Sequence, residues 1–320
     1  MVPQRQAPQP RPPAQRRSAR RRGAVRLLAA GIGVAAGLSL LGALWPEADR
    51  GQQEEGLNSA SALGEVPNQA VTVLVIGSDA ESRDDKRNGA APPGPANSDA
   101  LLLVQVRPNG PVQVLSLPIE TAVQLPGTKA PVALGSLYRR GGPALVAGAA
   151  AELVGLPQGQ PQRYLVLPRS ALRDLVDGLG RVELAPDRSM SYRDKAQNLR
   201  IQLEGGLQLM DGRQVEQLLR FRDRERGDEG RRDRQLMAVE SLLRQMGQRQ
   251  QLAQLPGLVN QLQGQVDTNL SRTETLSLLA AVLQANQPAQ LRSLPLKPPI
   301  KPGDPLRQLA PEALPQAWQN

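Results

Sequence analysis

Two groups of charged residues stand where their types and spacing can do chemistry. The first is Asp79, Asp99 and Glu120. VTVLVIG (71–77) is a continuous apolar, β-branched run, the pattern of a strand buried on both faces of a sheet. It runs out at Gly77-Ser78-Asp79. ALLLVQV (100–106), the second predicted strand, begins just after Ser98-Asp99. The Gly/Pro/Ala loop between them leaves one sheet edge and returns to it, so the two aspartates converge there. A third predicted strand, VQVLSLP (112–118), follows the second through a hairpin turn with Asn109-Gly110 at its centre. Its end, Ile119-Glu120-Thr121, therefore reaches the same edge. Three acids within reach of one hard cation suit Mg²⁺. Aspartate at strand ends is equally ordinary turn chemistry.

The second group is LLRFRDRERGDEGRRDRQ (218–235), with seven arginines among five acids. Arg220 and Arg222 flank Phe221, an alternation that in an extended segment presents both guanidinium groups to one side. Asp228 is the predicted N-cap of a helix over about 229–247, whose apolar stripe is Leu236, Val239, Leu242, Leu243 and Met246. Arg231 and Gln235 share a face that overlaps this stripe. They also lie in the first turns, where free N–H groups and the helix dipole favour an anion. Guanidinium groups grip phosphate oxygens bidentately. The competing reading is a solvated helix laced with ion pairs.

Composition narrows the chemistry. The 320-residue chain contains no cysteine and no histidine. That excludes disulfides, Cys or His zinc sites, Ser-His-Asp and Cys-His catalysis, and haem ligation by those residues. Aromatic residues are only 2%, a poor stock for stacking the bases of a single strand. The formal net charge of +9 is local: residues 1–26 hold eight arginines and no acid, leaving 31 basic against 30 acidic residues elsewhere.

The elements that must position these residues follow a simple plan. Residues 1–26 form a basic, Pro- and Gln-rich tail. Residues 27–45 are 19 in a row without a charge, close to the length that spans a bilayer. Arginines before them and Glu47 and Asp49 after them predict a single-pass anchor with its N-terminus inside. A cleaved signal peptide competes, but its apolar region is typically shorter. Residues 46–69 read as a linker and 70–290 as the main domain. Within it, helices are expected over 143–154, 171–180, from Asp211 through 221, and broken over 252–286, with further strands at 163–168 and 181–186. Residues 291–320 read as a Pro-rich, irregular tail.

The motifs together resemble the LytR-CpsA-Psr (LCP) family of membrane-anchored glycopolymer transferases. They are VLVIGSDAES…NSDALLLVQV, VLSLPIETAVQLPG, LYRRGGP, LVDGLGRVEL and, most specific, the R-x-R…D-x-G-R-x-x-R-Q pattern within 218–235. The resemblance implies an α/β/α sandwich with a central mixed β-sheet, and a polyprenyl-pyrophosphate-linked glycan as substrate. It implies transfer of a phosphoglycan to a cell-wall acceptor at the outer face of the cytoplasmic membrane. By motif position, Asp79 and Asp99 hold Mg²⁺; Arg220, Arg222, Arg231 and Gln235 hold the pyrophosphate; Glu120 is a further candidate at the substrate. Asp223 and Asp228 orient the arginines. The chain departs from the pattern at Ile119, where the family usually has Arg, at Glu120 for Asp, at Ala133-Leu134-Gly135 for a Lys–Ile–Asn-like stretch, and at Arg181 for Gly. A guanidinium lost from a desolvated phosphate site costs about 2–4 kcal/mol of transition-state stabilisation. Arg139, Arg140 and Arg181 are candidate substitutes. A binder without turnover and a membrane-tethered regulator are the competing functions.

Overall fold

The computed structural model describes residues 60–310 apart from 86, 89–93, 109, 196–198, 286, 300, 302 and 303. The predicted anchor at 27–45 lies outside the described residues. Among those described, no helix is long and apolar enough to cross a membrane.

The apolar runs build a six-stranded mixed sheet. Its strands are β1 (Val71–Ser78), β2 (Ser98–Val106), β3 (Gln113–Ser116), β4 (Arg163–Leu167), β9 (Asp267–Thr268) and β10 (Gln290–Ser293), in the order β9-β4-β1-β2-β3-β10. β1 is antiparallel to β2, with Val71 opposite Val106 and Gly77 opposite Ala100, and parallel to β4, with Gly77 opposite Leu167. β1 is thus central, which is why its sequence is a largely apolar run rather than an alternation.

Helices cover both faces. On one, Leu74, Ile76, Leu101 and Leu103 pack against Val146, Ala149, Ala150 and Val154 of α1 (Leu137–Val154). On the other, Val75, Leu102, Val104 and Val114 meet Leu236 and Val239 of α4 (Gly227–Met246) and Val282 of α6 (Arg272–Gln284). The expected helix at Pro143 is present, but a preceding turn, 137–140, joins it through Gly141 and Gly142. Gly142 sits at φ +64, ψ −161, a conformation that L side chains rarely adopt, and it lets Pro143 restart the helix.

A second layer flanks the sheet. α2 (Arg169–Gly178) leads into β5 (Val182–Leu184), then the hairpin β6 (Met190–Asp194) and β7 (Leu199–Leu203), then β8 (Gln208–Met210), which pairs with β5. Asp211 caps α3 (Gly212–Arg220) as expected, in a reciprocal capping box with Gln214. Val176, Leu184, Ile201, Met210, Val215 and Ala238 close a core between this layer and α4.

Three expectations change. Asp228 is not a cap: α4 begins at Gly227, and Asp228 lies inside its first turn. The region read as a linker up to residue 69 joins the fold earlier. Ala60–Leu63 is a 3₁₀ turn with Leu63 buried against Leu276 and Ala280 of α6, and the Ser277 hydroxyl donates to the Glu65 carbonyl. The predicted irregular tail also contributes. β10 extends the sheet parallel to β3, and Arg307 and Leu309 pair with Thr121 and Leu296. The bridges at Arg307 and Leu309 use one residue each, too short a pairing to leave a strand pattern in a Pro-rich stretch.

α5 (Leu255–Gln263) and α6 complete the domain. Ser271 caps α6 in a capping box: its N–H donates to Glu274 at 2.9 Å, and the Glu274 N–H donates to its hydroxyl. Glu274 also pairs with Arg163 of β4. The Ser271 N–H first, then Arg163, hold the Glu274 carboxyl down at about 2. A carboxyl depressed by folding stabilises above its unfolded value, near 4.5, and loses that stabilisation as pH falls toward 2. The side chain is 40% exposed, so screening limits the effect to about 1 kcal/mol. Glu274→Gln should therefore melt lower at pH 7 and lose less stability than wild type between about pH 4.5 and 3, read by circular dichroism. Equal acid slopes in both proteins would contradict this.

Candidate active site

The β1 and β2 ends deliver the aspartates. The Asp79 N–H donates to the Asn97 carbonyl at 3.1 Å, and the Asn97 N–H donates to Asp79 Oδ1 at 2.8 Å. A bulge at Gly77/Ser78 ends the regular ladder just before this clasp. Asp99 is the second residue of β2. Burial, foremost, raises the Asp79 carboxyl above its ordinary range; the Asn97 N–H opposes this, the nearby Asp99 charge adds to it, and Arg169 pulls it back. The two aspartates are close enough to repel one another.

Arginines close over Asp99. Its carboxylate meets Arg231 Nη1 at 3.2 Å and Arg222 Nη2 at 4.0 Å, and Gln235 Nε2 donates to its carbonyl at 3.2 Å. Arg231 side-chain exposure is only 3%. The inward line of α4 runs Arg231, Arg234, Gln235, Ala238, Ser241. Asp228 bridges Arg222 Nε at 3.0 Å and Arg231 Nη2 at 2.9 Å. Asp223 accepts the Arg226 N–H and pairs with buried Arg234, whose guanidinium lies 5.3 Å from the Phe221 ring centre. Arg220 is not part of an extended run, as the alternation suggested; it is the last residue of α3, and the chain becomes extended only at Phe221. Arg220 and Arg222 accordingly turn to different acids, Glu216 and Asp228.

Glu120 is placed apart from the aspartates. It pairs with Arg232, both mostly buried, and its Oε2 has no hydrogen-bond partner among the described residues. No group of three or more Asp and Glu that could hold a metal occurs among the described residues, so the expected three-acid set is not formed. The reason is local: Arg232, one residue past Arg231 on α4, claims Glu120. Ile119 packs on the core beneath α1. A Cβ at Gly135 would fall 2.8 Å from the Ile119 Cβ and 3.0 Å from the Ser98 carbonyl oxygen, so the glycine admits the isoleucine.

The sequence reading missed Glu216 as a hub. Its side chain is only 10% exposed and holds three arginines: Arg220 Nη1 at 3.1 Å and Arg169 Nη1 at 3.3 Å on Oε1, and Arg173 on Oε2. Glu81, two residues past Asp79, takes Arg169 and Arg173 from the other side. The i, i+4 spacing of Arg169/Arg173 and of Glu216/Arg220 was the available signal. Beside Asp79 lies a cavity of about 420 Å³, lined by Ser78, Ala80, Tyr138, Pro143, Val166 and Asp267 among others. Burial, then the charges of Asp267 and Asp79, raise the Tyr138 hydroxyl above its ordinary value.

For a hard cation, the fit is a matter of donors. Asp79 and Asp99 offer only oxygen, and their mutual repulsion is what a divalent ion relieves. Two carboxylates leave the remaining positions to water and to substrate oxygens, the usual arrangement for Mg²⁺ at phosphates.

A mixed α/β sheet with paired aspartates and buried arginines at one edge defines a class of site suited to anionic phosphate groups. Residues 46–299 match the LytR_cpsA_psr family model, and the chain belongs to that family. It is 26% identical over 188 residues to the polyisoprenyl-teichoic acid–peptidoglycan teichoic acid transferase TagV of Bacillus subtilis (strain 168), covering 57% of this chain and 47% of TagV. It is 25% identical over 203 residues to the regulatory protein MsrR of Staphylococcus aureus (strain COL), covering 62% of this chain and 56% of MsrR. The chain thus spans about half the length of these relatives. The crystal structure of B. subtilis TagV superposes with a TM-score of 0.61 at 21% identity, over 76% of this chain and 91% of that one. A LytR-Csp2A-Psr enzyme from Actinomyces oris gives 0.59 at 16% identity, over 78% and 93%. These likenesses show the fold, the mixed central sheet included.

Gly230 tests how tightly the arginine cluster is packed. A Cβ there would lie 2.8 Å from Asp223 Oδ2 and 3.0 Å from the Arg226 Cβ. Gly230→Ala should cost about 1–3 kcal/mol in urea unfolding, because the Asp223 carboxylate cannot retreat without releasing Arg234. A neutral or stabilising result would show that this cluster yields.

Proposed function

We propose that this protein is a Mg²⁺-dependent phosphotransferase that moves a phosphoglycan from a polyprenyl-pyrophosphate carrier to a cell-wall acceptor. The observation that carries the reading is the convergence of Asp79, Asp99, Arg222, Arg231 and Gln235 at one sheet edge. The family membership supports it, as does the likeness to TagV, a teichoic acid transferase. The anchor proposed at 27–45 would hold the domain at the outer face of the cytoplasmic membrane, where lipid-linked glycans and wall acceptors meet.

In this scheme Asp79 and Asp99 hold the Mg²⁺, which would withdraw charge from the diphosphate. Arg231 and Arg222 are held in place by Asp228 and neutralise the phosphate oxygens that gain charge. Arg220 does the same from the Glu216 side, and Gln235 fixes the Asp99 backbone. An acceptor hydroxyl attacks the glycan-bearing phosphorus. The bond from that phosphorus to the bridging oxygen breaks, and polyprenyl phosphate leaves with the electron pair. The hydroxyl proton passes to solvent or to the leaving phosphate. Water in place of the hydroxyl gives hydrolysis.

A binder without turnover is the second reading, favoured by Ile119, whose side chain lies on the core where a phosphate-facing guanidinium would be expected. The test uses the full-length protein, a radiolabelled polyprenyl-pyrophosphate-linked disaccharide and peptidoglycan strands. Mg²⁺-dependent transfer should fall by about 10²–10³ in Asp99→Ala and in Arg231→Ala. Binding of the labelled donor with no transfer and no hydrolysis would replace the transferase reading with the binder. In that case Ile119→Arg should restore release. Transfer that survives both substitutions would remove the site proposed.

A further inference from the structure

We propose that Arg169 is a substrate-binding residue, presenting its guanidinium beside Arg220 to the diphosphate of the lipid-linked substrate, with Glu216 as the residue that positions both. This inference rests on the phosphotransferase reading.

Placement comes first. β4 runs parallel to β1, with Gly77 opposite Leu167, so the residues two further on, Asp79 and Arg169, leave adjacent strands at one edge. The Arg169 N–H donates to the Ala80 carbonyl at 3.1 Å, which fixes its backbone one residue from Asp79. Arg181, a candidate substitute by sequence, follows the other end of α2, roughly 15 Å along the axis.

The side chain is then aimed by acids on two sides. Arg169 Nη1 and Arg220 Nη1 both meet the single oxygen Glu216 Oε1, at 3.3 and 3.1 Å. Two guanidinium groups on one oxygen stand side by side, so a phosphate that reaches Arg220 is beside Arg169 as well. Glu81 holds Arg169 Nη2 at 2.9 Å. Arg173 meets the other oxygen, Glu216 Oε2, and Glu81 Oε1, so it braces the two acids and does not share the oxygen on which Arg169 and Arg220 meet. Two like charges on one shared oxygen are relieved by an incoming anion. A guanidinium already immobilised by two acids also loses little freedom on binding.

The test measures binding of inorganic pyrophosphate and of farnesyl diphosphate to the full-length protein by calorimetry, with Mg²⁺ present. Arg169→Gln should weaken both probes by about 10–100-fold. Arg169→Lys, which keeps the charge and loses the planar fork, should fall between that variant and wild type. Arg173→Gln removes a partner from the same two glutamates and should bind within about threefold of wild type. A purely structural ion pair would make Arg169→Gln and Arg173→Gln alike, shifting thermal stability and not affinity; that result overturns the inference. If Arg169→Gln melts early, Arg169→Lys decides: wild-type affinity for both probes overturns it. Loss of farnesyl diphosphate binding alone would place Arg169 on the lipid and also overturn it. Arg231→Lys separates the two readings. Weakened by Arg231→Lys but untouched at Arg169, the site survives and this inference does not; a wild-type protein that binds neither probe ends both.

Discussion

A guanidinium with 3% of its side chain exposed carries a desolvation cost of several kcal/mol that must be met where it sits. Arg231 is that group, and much of the site follows from it. Asp99 and Asp228 approach it from two directions, one at the start of β2 and one from its own helix. Asp99 can be there only because the β1–β2 register puts the first residues of β2 at the same edge where β1 ends. α4 can be there only because Leu236 and Val239 seat it on the sheet face. The charge pair and the apolar packing therefore fix the same helix in the same place.

The same constraint repeats along the cluster. Arg234 is buried against Asp223 and the Phe221 ring, Arg232 against Glu120, and Arg220 against Glu216. Each of these arginines brought inside finds a carboxylate. The acids interleaved with the arginines in 218–235 are accordingly internal partners as well as surface ones. The start of α4 shows what this arrangement displaces. Its cap position is occupied by Arg226, whose side chain makes no capping hydrogen bond, and Gly227 follows at φ +48. Asp228, one residue into the helix, serves two guanidinium groups in place of the backbone.

Much of this was legible in the sequence, for reasons that can be named. The apolar run 71–77 and the loop returning at 98 told where Asp79 and Asp99 go, because buried strands have a strong signal and a fixed edge. The spacing of Arg231 and Gln235 told that both turn inward, because 3.6 residues per turn places them on the apolar side. What the sequence did not disclose are contacts set by tertiary pairing. The Glu216 hub joins α2, α3 and the residue two beyond Asp79, elements far apart in the chain. The pairing of Arg307 with Thr121 rests on a single bridge in a Pro-rich stretch. Glu120 was expected with the aspartates because all three end at one edge, yet an edge is wider than a metal site, and Arg232 decided the matter.

Residues 119, 120 and 135 are packed as one unit. Ile119 can lie on the core because residue 135 has no side chain to meet it. Its carbonyl accepts the Gly135 N–H at 2.8 Å, so the two segments are clasped at backbone level as well. Glu120 pairs with Arg232 of α4, and its own carbonyl accepts the Arg307 N–H at 2.9 Å. This corner of the site is thus held by apolar contact, backbone pairing and one buried ion pair. At the β4–α2 junction Arg169 enters between Glu81 and Glu216. A site that must face an anion needs its positive charge near the edge. It does not need that charge on one particular strand: Arg169 at the β4–α2 junction lies at the edge where Asp79 leaves β1.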